Sequence, residues 1–434
     1  MTAKDRSILA KFDLAFGNSQ QEIEIGESHV LATLRTKTIP PPSTSLPAVL
    51  LSALDNPFGS ESFDKIFGDA QNVVIVVPDK TRNCGASLFL PILLQRLSNL
   101  GVSDNGIKII LATGTHVGHT AEQRVKIVGA DLAHRVTIVD HNCHDDAALV
   151  YLDETKYGTP VAINRLVVDA DRVLVVGTAA HHYFAGFGGG PKMINPGCAG
   201  YETISKNHAR TIDERTGRLH SGCRAGEMET NPVQMDIADS LRFIRADFLF
   251  ETVLSDSGNI VAAFAGDLIA AHRHACQLID KHFKVPISEK ADLVVVSCGG
   301  YPKDINFIQA HKSLHNAFYA VKDGGVILAL AECREGIGSQ TFLEWFEYES
   351  DNEFRDNLRR KYKVNGTTAL ALKMKTRSTY IIFVSSLPPD LVRKLGMIPM
   401  ATASEGWEMA QSRLPSGFKT YVIPNGSLTL PEMN

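Results

Sequence analysis

Four apolar runs, each ending in a cluster of polar residues, recur through the first half of the chain and limit its folding more than any other feature. Asn72–Val77 (NVVIVV) leads into PDKTR and Ile107–Ala112 (IKIILA) into TGTHVGHT; VTIVD leads into HNCHDD and Asp171–Gly177 (DRVLVVG) into HHYFAGFGGGPK. A short, uninterrupted apolar run bounded by turn residues reads as a strand buried on both faces. The first two are followed by helical stretches, and strands alternating with helices make βαβ units and a mostly parallel sheet. The fold class is therefore α/β.

The pattern restarts in the second half. FLFETVL and Asn259–Phe264 read as a hairpin across SDSGN, and Asp267 caps an amphipathic helix that ends before Pro286, with His272, His274 and His282 read as surface residues on it. Strands at 292–298, 325–330 and 380–384, with a highly charged helix near 350–362, form a second α/β unit. A chain of 434 residues exceeds what one core usually serves. The expected division is residues 1–280 and 288–415, the tail 418–434 returning to the first domain, with mostly parallel sheets and an active-site cleft between the domains. The first fifty residues, with their RTKTIPPPSTSLP stretch, read as packing and connection.

Composition serves mainly to exclude. Forty-four basic and 48 acidic residues nearly balance, and no basic cluster interleaved with aromatics marks a nucleic-acid surface. The chain carries no apolar window of membrane-spanning length and no long apolar core near its start, so a cytoplasmic protein with no membrane partner is expected. Seven cysteines at wide spacings, with no CxxC pair, are expected to be reduced thiols. The HNCH group (His141, Cys143, His144) lacks a fourth ligand at zinc-type spacing and reads as a polar loop end.

The polar clusters are where chemistry is expected. In parallel sheets, ligands bind beyond the carboxyl ends of the strands. Asp79, Lys80, Arg82, His116, His119, His141 and the His181–Lys192 group all fall just past such ends. One polar strand end is ordinary; four in succession carrying His, Arg or Lys point to a site. Two histidines in a cleft can serve as acid and base near neutral pH. GFGGGPK matches a phosphate loop only partly, since the first glycine spacing and the Ser/Thr after lysine are absent. No GxGxxG with its acidic partner supports a nicotinamide dehydrogenase, and no GxSxG supports acyl transfer. In the second domain, GGYPKDINFIQAHK places Gln309 and Lys312 three apart on one helical face.

Taken together, PDKTR (Asp79, Arg82), LATGTH (His116), HYFAGFGGGPK (His182, Lys192), NH at His208 and GGYPKDINFIQAHK (Gln309, Lys312) resemble the nickel-pincer lactate racemase family, from about residue 70 to beyond 320 and in the family's order. The resemblance implies a racemase or epimerase acting at C2 of a 2-hydroxy acid. It implies a nickel-pincer pyridinium mononucleotide, Ni(II) included, joined through a thioamide to Lys192, with His208 as the fourth nickel ligand. Gly188, Gly189 and Gly190 would receive the phosphate. His116 and His182 would be the acid/base pair; Asp79, Arg82, Gln309 and Lys312 would form the substrate-binding set, with Arg82, Gln309 and Lys312 holding the carboxylate and Asp79 orienting its neighbours. Cofactor-maturation enzymes are implied as partners. Lactate, malate, aromatic 2-hydroxy acids and sugar acids all fall within the family, so a C2 epimerase of a longer aldonate is the alternative, and a cofactor-free binding homologue a further one. His119 and His181 receive no role from the resemblance.

Overall fold

The computed structural model describes residues 9–348, 350–360 and 362–434. The chain divides into two compact units, one made of residues 38–211 and 220–281 and the other of the chain up to Lys37, residues 212–219 and residues 282–434.

The first unit is built on a six-stranded sheet. Strands β1 (Val73–Pro78), β2 (Ile107–Ala112), β3 (Thr137–Asp140) and β4 (Arg172–Thr178) are followed by a small two-stranded ribbon, β5 (Ala180–His182) with β6 (Gly186–Gly188), and then by β7 (Phe248–Leu254) and β8 (Ile260–Gly266). The order across the main sheet is β8-β7-β4-β1-β2-β3. All neighbours are parallel except β7 and β8, the antiparallel hairpin expected of them.

Every residue of β1 is buried, because both faces of the sheet are covered. Val73, Ile75 and Val77 face a core with Phe89, Leu90, Leu93, Leu94 and Leu97 of helix α1 (Ala86–Asn99) and with Phe248 and Phe250. Val74 and Val76 face the opposite core, with Ile194, Ile204, Leu268 and Ala271. This alternation of a continuous apolar run between two cores follows from the two-residue period of a strand. Burying each such Val or Ile stabilises the unit by about 1.5–3 kcal/mol.

The sheet order also fixes where a ligand can sit. From β1 the chain moves to one side through β2 and β3, then returns to lay β4 on the other side of β1. The crevice beyond the carboxyl ends of β1 and β4 is the topological switch point, where open α/β sheets bind ligands. Asp79–Arg82 follow β1 and the β5–β6 ribbon follows β4.

The second unit carries a six-stranded, all-parallel sheet ordered Ile398–Met400, Tyr380–Val384, Val321–Leu330, Ala291–Ser297, Thr420–Ile423 and Val30–Thr33. The expected contiguous division is therefore corrected at both ends. The tail does not return to the first unit: Thr420–Ile423 pairs with Ala291–Ser297, and Leu430–Met433 pairs with Lys284–Ile287. Nor does the chain before Lys37 belong to the first unit, because Val30–Thr33 closes the edge of this sheet and the hairpin Leu9–Phe16/Ser19–Gly26 buries Leu14, Ile23 and Ile25 against its strands. Both errors concern short pieces recruited by distant pairing, which local pattern does not encode. The charged helix is Asp351–Arg360. Among the described residues no helix is long and apolar enough to cross a membrane, and the first eight residues, on which part of the expectation about the chain's start rests, lie outside them.

Candidate active site

Three loops and one helix of the first unit supply the candidate residues. Beyond β1, Asp79 forms a tight turn: its Oδ1 accepts from the Thr81 amide at 3.1 Å and the Thr81 hydroxyl at 2.7 Å, and its carbonyl accepts from the Arg82 amide at 3.0 Å. Its remaining oxygen, Oδ2, accepts from His116 Nδ1 at 2.6 Å. Burial alone would raise this carboxyl, but His116, Thr81 and Arg82 together hold it below the usual aspartate range. An ionised carboxylate only accepts, so His116 carries its proton on Nδ1 and leaves the Nε2 lone pair outward. The His116 side chain is 52% exposed while that of Asp79 is 3% exposed, so the pair has a solvent-facing base and a buried orienter. Both Asp79 oxygens, expected to face substrate, are spent on protein donors, Thr81 and His116.

Arg82 is partly covered by the same turn. Burial pulls its guanidinium below the usual arginine value and the Asp79 charge opposes that. Among the described residues it forms no ion pair. A fork of donors in a partly dry setting, with its neighbouring carboxylate already committed, is a site for a planar anion.

His182 lies on the ribbon beyond β4, paired with Gly186. Its Nδ1 accepts from the Ala185 amide at 3.2 Å. An amide can only donate, so Nδ1 is unprotonated and the neutral ring carries its proton on Nε2. His116 and His182 therefore have opposite tautomers, one presenting a lone pair and the other an N–H.

Phe184, which sequence reasoning passed over, links the remaining groups. Its ring centroid lies 4.6 Å from that of His182, 5.1 Å from that of His208 and 5.3 Å from Lys192 Nζ. Lys192 sits on a 3-10 turn, Gly190–Met193. His208 projects from helix α3 (Tyr201–Ala209). Burial first, then the Lys192 charge, push the His208 imidazole down to about 3, against the opposing effect of the Ile204 carbonyl. It is neutral at physiological pH, and its Nδ1 is buried without a hydrogen-bond partner. A neutral, desolvated imidazole with an unspent nitrogen is the donor a borderline-soft metal takes. The only sequence signal for Phe184 was an aromatic residue inside a glycine-rich loop.

The glycines divide. At Gly189 (φ +88°) a Cβ would meet Glu251 Oε1 at 2.0 Å, and at Gly190 (φ +46°) it would meet His272 Cγ at 2.4 Å. The Gly190 amide donates to Glu251 Oε1 at 2.7 Å, so it is committed to a buried carboxylate rather than presented to a phosphate. Only at Gly188 would a Cβ find ordinary space, with Ala180 O at 3.9 Å.

His272 corrects the sequence reading, which left it on the surface. It is 2% exposed, on helix α4 (Leu268–Phe283), and its Nδ1 donates to Glu251 Oε2 at 2.7 Å. The signal was present: Leu268, Ala271, His272, Ala275, Cys276 and Ile279 share the buried helical stripe. Cys276 Sγ lies 3.4 Å from His272 Nε2, and burial, reinforced by Glu251 and Asp280, pushes its thiol well above the usual value, so it is a donor here. All seven cysteines are free and buried. His181 faces away from His182 across the ribbon, its Nε2 2.7 Å from Asp280 Oδ1. His141 is spent on the fold, with Nε2 donating to the Ala199 carbonyl at 2.8 Å and Nδ1 accepting from Asn164 at 3.1 Å. His119 is also buried and bonded at both nitrogens.

In the second unit, Gln309 and Lys312 lie on helix α5 (Phe307–Ala320), where Lys312 Nζ donates to Gln309 Oε1 at 2.6 Å. Among the described residues no group of three or more His, Cys, Asp or Glu side chains is gathered as a metal site.

Comparison with known proteins adds the following. A family model for the lactate racemase N-terminal domain matches residues 16–219, and one for the lactate racemase C-terminal domain matches residues 287–429. A lactate racemase from Lactiplantibacillus plantarum is 32% identical over 380 residues, covering 86% of this chain and 88% of the relative. One from Thermoanaerobacterium thermosaccharolyticum is 29% identical over 425 residues, covering 96% and 98%. The solved lactate racemase apoprotein from the latter organism superposes with a TM-score of 0.89 over 98% of this chain and 100% of that one, at 28% identity. A protein of solved structure from Thermotoga maritima shares the fold at 17% identity, with a TM-score of 0.64 over 87% of this chain and 100% of that one.

Proposed function

The chain belongs to the lactate racemase family and is an isomerase, and on that premise we propose that it inverts the C2 centre of a 2-hydroxy acid, lactate or a close relative. The observation that carries the reading is the opposed protonation of His116 and His182: one ring offers a lone pair and the other an N–H. Inversion through a planar 2-keto acid needs a group that takes the hydroxyl proton on one side and a group that donates to the substrate oxygen on the other, and a lone pair on one ring with an N–H on the other answers those two needs.

The hydrogen on C2 is a poor acid beside an ionised carboxylate, so its removal as hydride avoids a second negative charge. When bound, a nickel-pincer pyridinium nucleotide supplies the electrophilic acceptor for that hydride. Lys192 would anchor it covalently and His208 would ligate the nickel, a role supported by its neutral, buried imidazole. Gly188, where a Cβ would meet nothing nearer than the Ala180 carbonyl at 3.9 Å, would receive the phosphate. Arg82 grips the substrate carboxylate with two parallel hydrogen bonds and fixes the reacting carbon. His116 takes the hydroxyl proton through Nε2 while Asp79 stabilises the imidazolium that forms. His182 donates its Nε2–H to the substrate oxygen from the other side.

The test is a preparation made alongside cofactor-building enzymes. Intact mass should show an adduct on Lys192, lost in Lys192→Ala, with stoichiometric nickel, and chiral chromatography should show a single enantiomer of lactate turning into the racemate. A panel of malate, aromatic 2-hydroxy acids and aldonates ranks the substrates. Absence of adduct, nickel and interconversion across that panel would sink the proposal.

A further inference from the structure

We infer that His119 is a positioning residue that sets the Asp79–Arg82 turn and, through it, the carboxylate grip of Arg82; this rests on the function proposed above. His119 lies three residues past His116, just before helix α2 (Ala121–Val128). Its side chain is fully buried. A buried imidazole in a polar loop has two nitrogens to satisfy, and the partners of each define what it does.

On one side is Asp140, at the carboxyl end of β3. Its Oδ1 accepts from His119 Nδ1 at 2.6 Å, and its Oδ2 accepts from the His119 amide at 3.0 Å and from Arg124 of α2 at 2.7 Å. Gly118 permits the approach, since a Cβ there would lie 3.0 Å from Asp140 Oδ2. Asp140 thereby fixes the Nδ1–H tautomer and aims the ring. On the other side, Nε2 accepts from the Lys80 amide at 3.1 Å.

The consequence lies in one peptide plane. The Lys80 N–H and the Asp79 carbonyl belong to the same rigid unit. That carbonyl accepts from the Arg82 amide at 3.0 Å, and the Asp79 side chain holds His116. His119 thus pins the plane from which the turn's own closing bond is made. It connects the ends of β1 and β3, on either side of β2, by a bond that neither loop makes by itself.

A histidine that merely fills space would not distinguish its two ends, whereas this role does. In His119→Gln the amide oxygen falls near the Nε2 position and can accept from Lys80, at the loss of the Asp140 bond. In His119→Asn the amide nitrogen falls near Nδ1 and can donate to Asp140, but nothing reaches Lys80. Each variant loses one buried hydrogen bond, so their melting temperatures should fall together. Hydrogen exchange of the Lys80 and Arg82 amides, measured on the full chain without substrate, should accelerate about tenfold or more in His119→Asn and stay near wild type in His119→Gln. In the loaded enzyme, KM for the 2-hydroxy acid should rise about tenfold in the Asn variant with a smaller change in kcat, and be restored in the Gln variant. Equal exchange in the two variants, or a KM that does not follow the exchange, overturns the inference. Because exchange is read without turnover, a wild type that racemises nothing refutes the proposed function and leaves the His119 measurement standing.

Discussion

Two side chains show how one ionisable group acquires a task from its surroundings. Asp79 spends one oxygen on its own turn and the other on His116, so replacing it by Asn preserves the shape and removes the charge. The amide can present an N–H to Nδ1, which then holds the lone pair and leaves Nε2 protonated and useless as a base. Asp79→Asn should lower kcat by about 100-fold or more with the fold intact, read by steady-state kinetics and circular dichroism. Its folded carboxyl is depressed, so its contribution to stability is fully present above the unfolded value of about 3.9 and is lost as pH falls through the lower folded value. Lys375 in the second unit is the opposite case. It is 2% exposed, its Nζ donates to the Ala371 carbonyl of its own helix at 3.1 Å, and burial pushes it down to about 7. Between that value and the unfolded value of about 10.4 the unfolded chain binds the extra proton, so this lysine makes stability rise with pH across the window. His311 and His315, also buried and held well below the usual histidine range by burial and by Lys375, stay neutral there. Lys375→Met should raise the urea midpoint at pH 7 and flatten that rise, which denaturation at several pH values checks.

At the scale of elements, the Gly188–Gly190 segment shows why a glycine run can be structural and functional at once. Gly190 is held from below by Glu251 on β7 and His272 on α4, each tied to the other. Gly190→Ala should cost about 2–4 kcal/mol from its positive φ and the clash with His272. In His272→Ala the obstruction is gone, so the double variant should be more stable than the sum of the two losses, a coupling that a double-mutant cycle in urea measures. Gly188→Ala should stay within about 0.5 kcal/mol of wild type. The strands leading into this segment were legible in the sequence, because burial on both faces demands the uninterrupted apolar runs seen at Val73–Val77 and Val173–Val176. The polar ends were legible for the same reason, since position past a parallel strand marks a site. The partners were not. Glu251 sits inside an apolar strand and His272 on a stripe of small apolar residues, and nothing local to either announces that they meet over Gly190. Phe184 was hidden likewise: one aromatic among several in HYFAGF, chosen as the common neighbour of His182, Lys192 and His208 only by the fold.

For the whole molecule, the consequential departure from the sequence is that the chain before Lys37 completes the sheet of residues 282–434. Val30–Thr33 covers the edge of Thr420–Ile423, with the Leu34 amide donating to the Val422 carbonyl at 2.8 Å. The Gly17 amide, in the turn of the N-terminal hairpin, donates to Asp304 Oδ2 at 2.7 Å, and the Glu332 amide donates to the same oxygen at 3.1 Å. Asp304 lies in the loop that leads into α5, the helix of Gln309 and Lys312. Removing the chain up to residue 37 would therefore do two things to this unit. It would expose the amides of Thr420–Ile423 along an open edge, and it would take one donor from a carboxylate that organises the approach to α5. Hydrogen exchange should rise across 420–423 and across 300–306, while β1 and β4 of the other unit keep their protection. If the two units were instead the contiguous halves that local pattern suggests, the same deletion would raise exchange in β1 and leave 420–423 unchanged, so the comparison of these peptides decides between the two divisions of the chain.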